Sequence, residues 1–373
     1  MLNANLLNKD KTNMISRLYV NSYRNHDSFE LTIPDSSVVL HGKNGVGKTS
    51  ILEAISIFAK GRGGLRNAKY AEMVKSDRTI FNVNMELNID NLIKLELNTS
   101  YDKEKKIKKF TVNDKEVGSS KITRNNIPML WVAPYAEKIF LGASTARRSF
   151  IDNLTANFNN DHLKRVSEYD KLLKQRSKIL KENKKDSKWL DVLEDMMSKL
   201  AVSISSSRID LISRLEGYFK EPLDNFPKLN IKFLDCLETA LLQRPAIDVE
   251  TELMRNYNTS RKVDSILGGS QYGPQKSDLI ITNENKNIVA KMCSSGEQKC
   301  LLISIIIACS RALRKSINCP PIILLDDVFS HLDQLRKSSL LKELANLGSQ
   351  SWITITEKER FLHNNKDFCY YSL

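Results

Sequence analysis

Two short motifs stand at opposite ends of this chain, and each lacks half of a site without the other. Gly42-Lys43-Asn44-Gly45-Val46-Gly47-Lys48-Thr49 is a complete G-x-x-x-x-G-K-[ST] string, and the apolar run Ile322-Ile323-Leu324-Leu325 ends in Asp326-Asp327. Glycines let backbone N–H groups wrap phosphates, and the helix that follows points the positive end of its dipole at them. Lys48 is the candidate for the β- and γ-phosphates and Thr49 for Mg²⁺, with Ser50 completing the nucleotide-binding set in the first helical turn. A carboxylate at the tip of a buried strand supplies the other wall: Asp326 for the metal, and Asp327 as the catalytic group that polarises the attacking water. Lys48 and Asp326 are 278 positions apart (326 − 48). The chain must therefore fold so that both ends build one nucleotide site, with a whole lobe inserted between them.

The local patterns agree. Ile15–Val20, Phe29–Ile33 and Ser37–Leu40 read as strands, and 49–60 as a helix with Ile51, Leu52, Ile55 and Phe58 on one face. From Thr79 to Val117 the period becomes two: Phe81, Val83 and Met85 share a face, Leu95 and Leu97 lie on the next strand, and Val112-Asn113-Asp114-Lys115 is a hairpin turn. Met129–Ala133 is a buried strand before Pro134. From Arg147 to Tyr218 the period is helical, with Trp189, Leu193, Met196, Leu200 and Ile204 expected on one buried stripe and Leu163, Val166, Leu173 and Leu180 on a partner helix. No regular pattern is read between Phe219 and Ser265. Strand character resumes at Leu279, a buried helix spans 297–313, a further helix 335–347, and Trp352–Thr356 closes the sheet. The expected organisation is a polar leader at 1–13, an α/β P-loop head with an antiparallel β layer at 14–146, an inserted helical lobe at 147–265, and the rest of the head at 266–373. Met14 is a candidate alternative start.

Composition narrows the classes. Hydrophobic residues make up 41% and charged residues 27% of 373, as in ordinary globular proteins. The richest apolar run, Leu301–Ala308, falls far short of the ~18 residues that span a bilayer, so no membrane partner is expected. The six cysteines (Cys236, Cys293, Cys300, Cys309, Cys319 and Cys369) show no C-x-x-C pair, which points to free thiols in a reducing cytoplasm rather than zinc. A net charge of +13 suits a polyanion such as nucleic acid. Candidate phosphate contacts cluster at Lys103, Lys105, Lys106, Lys108 and Lys109, at Arg62, Arg66 and Lys69, and at Lys181, Lys184, Lys185 and Lys188; each cluster also reads as a solvated face. Arg147-Arg148 reads equally as a structural ion pair with an acidic neighbour.

Cys293-Ser294-Ser295-Gly296-Glu297-Gln298-Lys299 opens the helix ahead of the Asp strand. Small residues there leave backbone N–H groups for an anion, and Ser294 adds a hydroxyl. The segment resembles the signature motif of ATP-binding-cassette (ABC) ATPases, in the Ser-x-Gly-Glu form of the chromosome-maintenance and DNA-repair branch. That resemblance implies that Ser294, Gly296 and Glu297 of one copy close over the ATP held by a second, as an ATP-dependent homodimer. It places Ser330-His331-Leu332-Asp333 as the D-loop at the dimer contact and leaves Thr354 or Thr356 where transporters carry a switch histidine. No glutamine-loop residue is identified.

Along its length the chain resembles the RecF family of bacterial recombination and gap-repair ATPases. The resemblance rests on Tyr23-Arg24-Asn25 ahead of the cradle, Gly142 followed by Arg147-Arg148-Ser149-Phe150-Ile151-Asp152, Tyr169 to Arg176, and Leu324–Asp333. Gly273-Pro274-Gln275-Lys276-Ser277-Asp278 departs from the family's Gly-Pro-His-Arg-x-Asp at Gln275 and Lys276. The resemblance implies slow, DNA-stimulated ATP hydrolysis, binding to double-stranded DNA at single-strand gaps, and work with RecR and RecO in loading the RecA recombinase. The alternatives are a nucleotide-binding subunit of an ABC transporter and a condensin-like chromosome tether, against which stand the basic charge and the absence of long heptad runs. A small-molecule kinase has no use for the distant Asp pair and the Ser-Gly helix.

Overall fold

The computed structural model describes residues 13–59, 64–89, 92–117, 127–133, 136, 138–182, 187–234, 237–317, 320–356 and 367–373. Residues 1–12 of the expected leader, residues 60–63 (Arg62 among them), Pro134, Lys184, Lys185, Cys236 and Cys319 lie outside them. Cys293, Cys300, Cys309 and Cys369 are free thiols. The chain divides into one unit of Met1–Ala136, Glu221–Pro227 and Ser294–Leu373 and another of Glu137–Lys220 and Lys228–Cys293. The second unit thus takes in residues 266–293, which the sequence pattern assigns to the head.

In the first unit, β1 (Asn13–Tyr23), β2 (His26–Thr32), β4 (Ile80–Ile89), β5 (Ile93–Asp102), β6 (Ile107–Val112) and β7 (Lys115–Glu116) form an antiparallel sheet in the order β2-β1-β4-β5-β6-β7. Alternation does what the period-two pattern predicts: Phe81, Val83, Met85 and Leu97 are all buried. Asn113 and Asp114, both at positive φ (46° and 62°), make the tight β6–β7 turn. The second sheet holds β3 (Ser37–His41), β8 (Met129–Val132), β12 (Ile322–Leu325), β13 (Ser351–Ile355) and β14 (Phe368–Ser372) in the order β14-β3-β13-β12-β8. Every pairing in it is parallel, so strand directions mix between the sheets rather than within one. β3, β12 and β13 read as nearly continuous apolar runs, as strands covered on both faces do. The helices of this unit are α1 (Lys48–Ser56), the short α2 (Tyr70–Met73), α9 (Ser295–Ile317) and α10 (Gln334–Asn346).

Gln350, 1% exposed, joins the two sheets. Its side chain accepts from Ile15 N (2.8 Å) and donates to Ile15 O (3.0 Å) and Ser36 O (3.1 Å). A buried amide with both ends satisfied fixes register where apolar packing would tolerate sliding.

The second unit contains α3 (Lys138–Leu141), α4 (Ser144–Phe158), α5 (His162–Lys181), α6 (Ser187–Lys220), α7 (Leu237–Gln243) and α8 (Ala246–Leu267), with an antiparallel sheet β11 (Ile288–Val289), β10 (Asp278–Asn283), β9 (Leu229–Leu234). Two expectations are corrected here. On α6 the buried line is Leu190, Leu193, Met197, Ala201 and Ile204, whereas Trp189 and Met196 are about half exposed; Leu193 and Ile204 stay in the core and the rest of the stripe moves by one position. On α5 the fully buried residues are His162, Tyr169 and Arg176, spaced by seven, while Leu163, Val166, Leu173 and Leu180 are only half-buried. That seam is polar because its partners are charged: Arg176 donates to Glu194 (2.8 Å), Asp264 (2.8 Å) and Tyr257 O (2.6 Å). Arg208 likewise binds both oxygens of Asp152 and reaches Glu238. Burial of these guanidiniums is sustained by paired carboxylates. Arg147 forms the structural pair anticipated for it, donating through two nitrogens to Asp278 (2.7 and 2.9 Å).

Candidate nucleotide site

In the parallel sheet, β13 stands between the cradle strand β3 and the carboxylate strand β12. All three end at the same edge, the carboxyl end, where ligands bind in open α/β sheets. The two chain ends thus meet across one strand's width.

Residues 42–47 bridge β3 and α1. Lys43, Asn44 and Gly45 are exposed, and Ser50 is buried in the first turn of α1. Gly47, the helix N-cap at φ 106°, is required twice over. The left-handed backbone disfavours a side chain, and a Cβ there would collide with the His26 ring and lie 2.9 Å from Asn25 Nδ2. Those two residues, from the turn between β1 and β2, grip the loop: Asn25 Nδ2 donates to Gly45 O (3.1 Å) and His26 Nε2 lies 3.1 Å from Gly47 O. Lys48 curls back, donating to Gly42 O (2.5 Å) and Lys43 O (2.9 Å). Burial holds its ammonium below the ordinary lysine value, opposed by the charges of Asp326 and Asp327. Both carboxylates therefore act on the cradle lysine.

The Asp326 side chain, 4% exposed, is the hub. Thr49 Oγ1 lies 2.9 Å from each of its oxygens, and Thr354 Oγ1 donates to Oδ1 at 2.6 Å. Burial pushes this carboxyl up; the two threonine hydrogen bonds and the charge of Arg66 pull it back, while Asp327 pushes the same way as burial. Thr354 also accepts from Asp327 N (2.8 Å). One hydroxyl on β13 therefore ties the metal candidate to the backbone of the water-polarising candidate, and of the two threonines offered at this strand end, Thr354 is the one in the network. Asp327 is exposed, with its backbone left-handed at φ 49°.

Thr49 and Asp326 present converging hard oxygen donors, and no cluster of three or more His, Cys, Asp or Glu side chains that could hold a metal lies among the described residues. That donor set fits Mg²⁺, which keeps several waters and takes one or two protein oxygens beside substrate phosphates.

Ser294 caps α9 through a reciprocal box: its N and Oγ donate to Glu297 Oε2 (2.9 and 3.1 Å), and Glu297 N donates back to Ser294 Oγ (3.4 Å). A Cβ on Gly296 would stand 3.2 Å from His331 O. The start of α9 thus lies against the loop after β12. Two features of the site had no sequence signal strong enough to name them: the His26 grip on the cradle, and the ion pair behind it, in which Arg24 binds both oxygens of fully buried Glu53 (2.8 and 2.6 Å).

Of the basic clusters, Lys103, Lys105, Lys106 and Lys109 are exposed on the β5–β6 hairpin, but Lys108 is not a solvated residue. It lies over the Tyr70 ring (3.9 Å to the centroid) and the Phe110 ring (4.9 Å), and donates to the Tyr70 hydroxyl. Arg66 stands 3.8 Å from Glu53.

A split cradle, a carboxylate strand one strand away and a capped serine–glycine helix define an ABC-type P-loop ATPase head. The RecF/RecN/SMC N terminal domain family matches residues 14–371. The DNA replication and repair protein RecF of Rickettsia conorii (strain ATCC VR-613 / Malish 7) is 34% identical over 349 residues, covering 94% of this chain and 96% of that protein. The solved structure of the recombination mediator protein RecF-ATP in the RecFOR pathway superposes with a TM-score of 0.84 at 22% identity, covering 95% of each chain. An Smc head domain with a coiled coil and joint from Pyrococcus yayanosii shares the fold more distantly (TM-score 0.51, 15% identity, 97% of this chain and 95% of that one). The chain belongs to the RecF family of DNA replication and repair proteins.

Proposed function

We propose that this chain is an ATP-dependent clamp of recombinational gap repair, and that the Thr49–Asp326–Thr354–Asp327 network is its hydrolytic centre. The hydrogen-bonded link from cradle to Asp327 is the observation that most supports the reading. ATP enters with its phosphates along 42–47, and Lys48 exchanges the Gly42 and Lys43 carbonyls for phosphate oxygens. Thr49 and Asp326 hold Mg²⁺, which neutralises charge on the β- and γ-phosphates when bound. Asp327 polarises a water that attacks the γ-phosphorus; the bond to the β-phosphate breaks, and ADP and phosphate leave.

A second copy supplies Ser294, Gly296 and Glu297 over the triphosphate, so that ATP holds two heads together and hydrolysis parts them. The exposed lysines of the β5–β6 hairpin contact the phosphates of duplex DNA beside a single-strand gap without reading its sequence. Slow, DNA-stimulated hydrolysis suits a timer better than a motor. RecR and RecO are the expected partners in loading the recombinase, in the cytoplasm. No helix among the described residues is long and apolar enough to cross a membrane.

The test pairs ATP turnover, with and without gapped duplex, with light-scattering mass in ATP and in ADP. Turnover that rises with gapped DNA, and a mass that doubles only in ATP, support the reading. Lys48→Arg is expected to bind ATP and hydrolyse it poorly, and Lys48→Met to lose ATP-dependent dimerisation. Wild-type turnover in both variants refutes the site, and a single-chain mass in ATP refutes the clamp.

A further inference from the structure

Lys299 lies one turn into α9, on the helix that the capped Ser294 begins. Its ammonium donates to the loop that follows Asp326: to Asp327 O (2.8 Å), Ser330 O (3.3 Å) and Ser330 Oγ (2.6 Å). Ser330 Oγ in turn donates to Asp327 O at 2.9 Å. The loop so held is strained at both ends, with Asp327 at φ 49° and His331 at φ 68°, conformations that side chains other than glycine's rarely adopt. The other side of the clasp is close as well, since a Cβ on Gly296, three residues before Lys299, would stand 3.2 Å from His331 O. Beyond it, Asp333 caps α10 by accepting from Arg336 N (2.9 Å). From Asp326 to Asp333 the loop is therefore tied by Thr354 on one side and by the start of α9 on the other.

We propose that Lys299 is a positioning residue that makes the Ser294 end of α9 and the Asp327 loop move as one piece. A cation bonded to two carbonyls and a hydroxyl holds the backbone conformation of the loop they belong to. Losing it leaves Asp327 O with Ser330 Oγ alone and lets the left-handed residues relax, so that the Asp327 carboxylate shifts relative to Lys48, on whose ammonium its charge acts. In a dimer the consequence is longer-ranged. The Ser294 end of α9 faces the nucleotide of the second copy, while Asp327 serves the nucleotide of its own. The same ammonium then joins the two sites, and engagement of ATP at one is felt by the water-polarising group of the other. This coupling rests on the dimer reading above; the clasp itself does not.

The experiment uses the full chain with Lys299→Met, Lys299→Arg and Ser330→Ala. Lys299→Met is expected to bind a fluorescent ATP analogue within about threefold of wild type while kcat falls by about tenfold or more, because the residues gripping the nucleotide are untouched and only the reacting group is displaced. Lys299→Arg, which keeps a cation able to reach the carbonyls, recovers part of kcat. Lys299→Met and Ser330→Ala combined lose less than the product of their separate effects, because they break one network. Amide hydrogen exchange in ADP, which needs no turnover, is expected to speed up across 327–333 in Lys299→Met while the α1 amides keep wild-type rates. A kcat within about twofold of wild type, or ATP affinity falling in step with kcat as a merely structural role would give, overturns the clasp, as does unchanged exchange across 327–333. Light-scattering mass on the same samples separates the two ideas: a wild-type chain that stays single in ATP removes the dimer coupling alone.

Discussion

Thr354 and Thr356 are chemically identical candidates two residues apart, and the structure makes them behave very differently. Thr354 is 1% exposed and its hydroxyl serves two partners, Asp326 Oδ1 at 2.6 Å and Asp327 N at 2.8 Å. Thr356 is exposed beyond the end of β13. Valine replaces threonine with nearly the same shape, so Thr354→Val deletes the hydroxyl without opening a cavity. A hydrogen bond to a carboxylate is worth about 1.5–3 kcal/mol, and an N–H left without a partner costs about 1–3 kcal/mol more. Asp326 keeps Thr49, which places the expected loss toward the lower end of the summed range of about 2.5–6 kcal/mol, at about 3 kcal/mol. Thr356→Val is expected to stay within about 0.5 kcal/mol, as exposed substitutions do. Urea unfolding followed by the fluorescence of fully buried Trp352 reads the unit concerned. Turnover in MgATP is expected to fall in Thr354→Val and to hold in Thr356→Val. Equal stability of the two variants, or a larger loss in Thr356→Val, would refute the placing of Thr354 at the centre of the network.

Three further outcomes follow from the geometry of the first unit. Arg24→Ala leaves Glu53, with no side-chain exposure, with Arg66 at 3.8 Å as its remaining ion-pair partner among the described residues; unfolding free energy is expected to drop by about 3 kcal/mol or more, and Arg24→Lys is expected to restore little of it, since lysine cannot reproduce the paired bonds. Burial pushes Lys108 down to about 8, so this group binds fewer protons in the folded chain than in the unfolded one between about pH 8 and lysine's ordinary 10.5. Stability from this group is thus present above the higher value and lost as pH falls through about 8; denaturation at pH 7 and pH 10 is expected to show wild type gaining on Lys108→Met at the higher pH, and a constant gap between them would contradict the burial of the ammonium. Replacing Lys103, Lys105, Lys106 and Lys109 together by serine is expected to flatten the plot of log affinity for duplex DNA against log salt by about 0.9 for each phosphate that is no longer neutralised; an unchanged slope places the DNA elsewhere.

The head is legible in the sequence because each of its signals is local. A period of two predicts which face of β4 is buried from three residues, and a glycine string with its flanking strand and helix predicts a phosphate cradle from eight. The carboxylate strand is legible for the same reason: Ile322 to Leu325 are all buried and end in acid. The grip of Asn25 and His26 on the cradle is not, since nothing within the turn between β1 and β2 indicates that a loop some twenty residues later needs holding. Nor is the preference for Thr354, because two threonines two residues apart fall on the same face by alternation, and sequence alone does not say that β13 ends at Ile355, between them. β14 escapes sequence reasoning too: Phe368–Ser372 is short and mostly half-buried, and only its parallel pairing with β3 makes it a strand.

The second unit resists for a different reason. Periodicity finds a core by assuming that the residues inside are apolar, and here a large share of the fully buried positions are ionic. Arg176 and Arg208, at 0% and 4% exposure, face Glu194, Asp264, Asp152 and Glu238, all of them buried. On α8 the buried positions Val249, Leu253 and Tyr257 pass into Ser260 and Asp264, while Ile247, Ile266 and Leu267 are exposed, so a helix of 22 residues shows no clean apolar stripe and leaves no periodic signal. Replacing such pairs by hydrocarbon is often neutral or stabilising, whereas removing one partner is costly; paired charge is therefore an inefficient way to add stability alone. What it supplies is direction. Arg208 also donates to Pro274 O (3.0 Å) and Arg148 to Ser277 O (2.7 Å), and Gly273, at φ 116°, sits where a Cβ would strike the Tyr169 hydroxyl and lie 2.8 Å from that of Tyr257. The segment 273–278 is thereby held through its backbone and through Gln275, whose side chain accepts from the Tyr169 hydroxyl (2.7 Å) and donates to Ser270 O (3.2 Å) and Tyr272 O (2.7 Å), whereas Lys276 is exposed. A lobe built this way tolerates change at exposed Lys276 and resists change in the arginines beneath it. Arg208→Ala is accordingly expected to unfold the lobe, and Lys276→Ala to leave its stability unaltered.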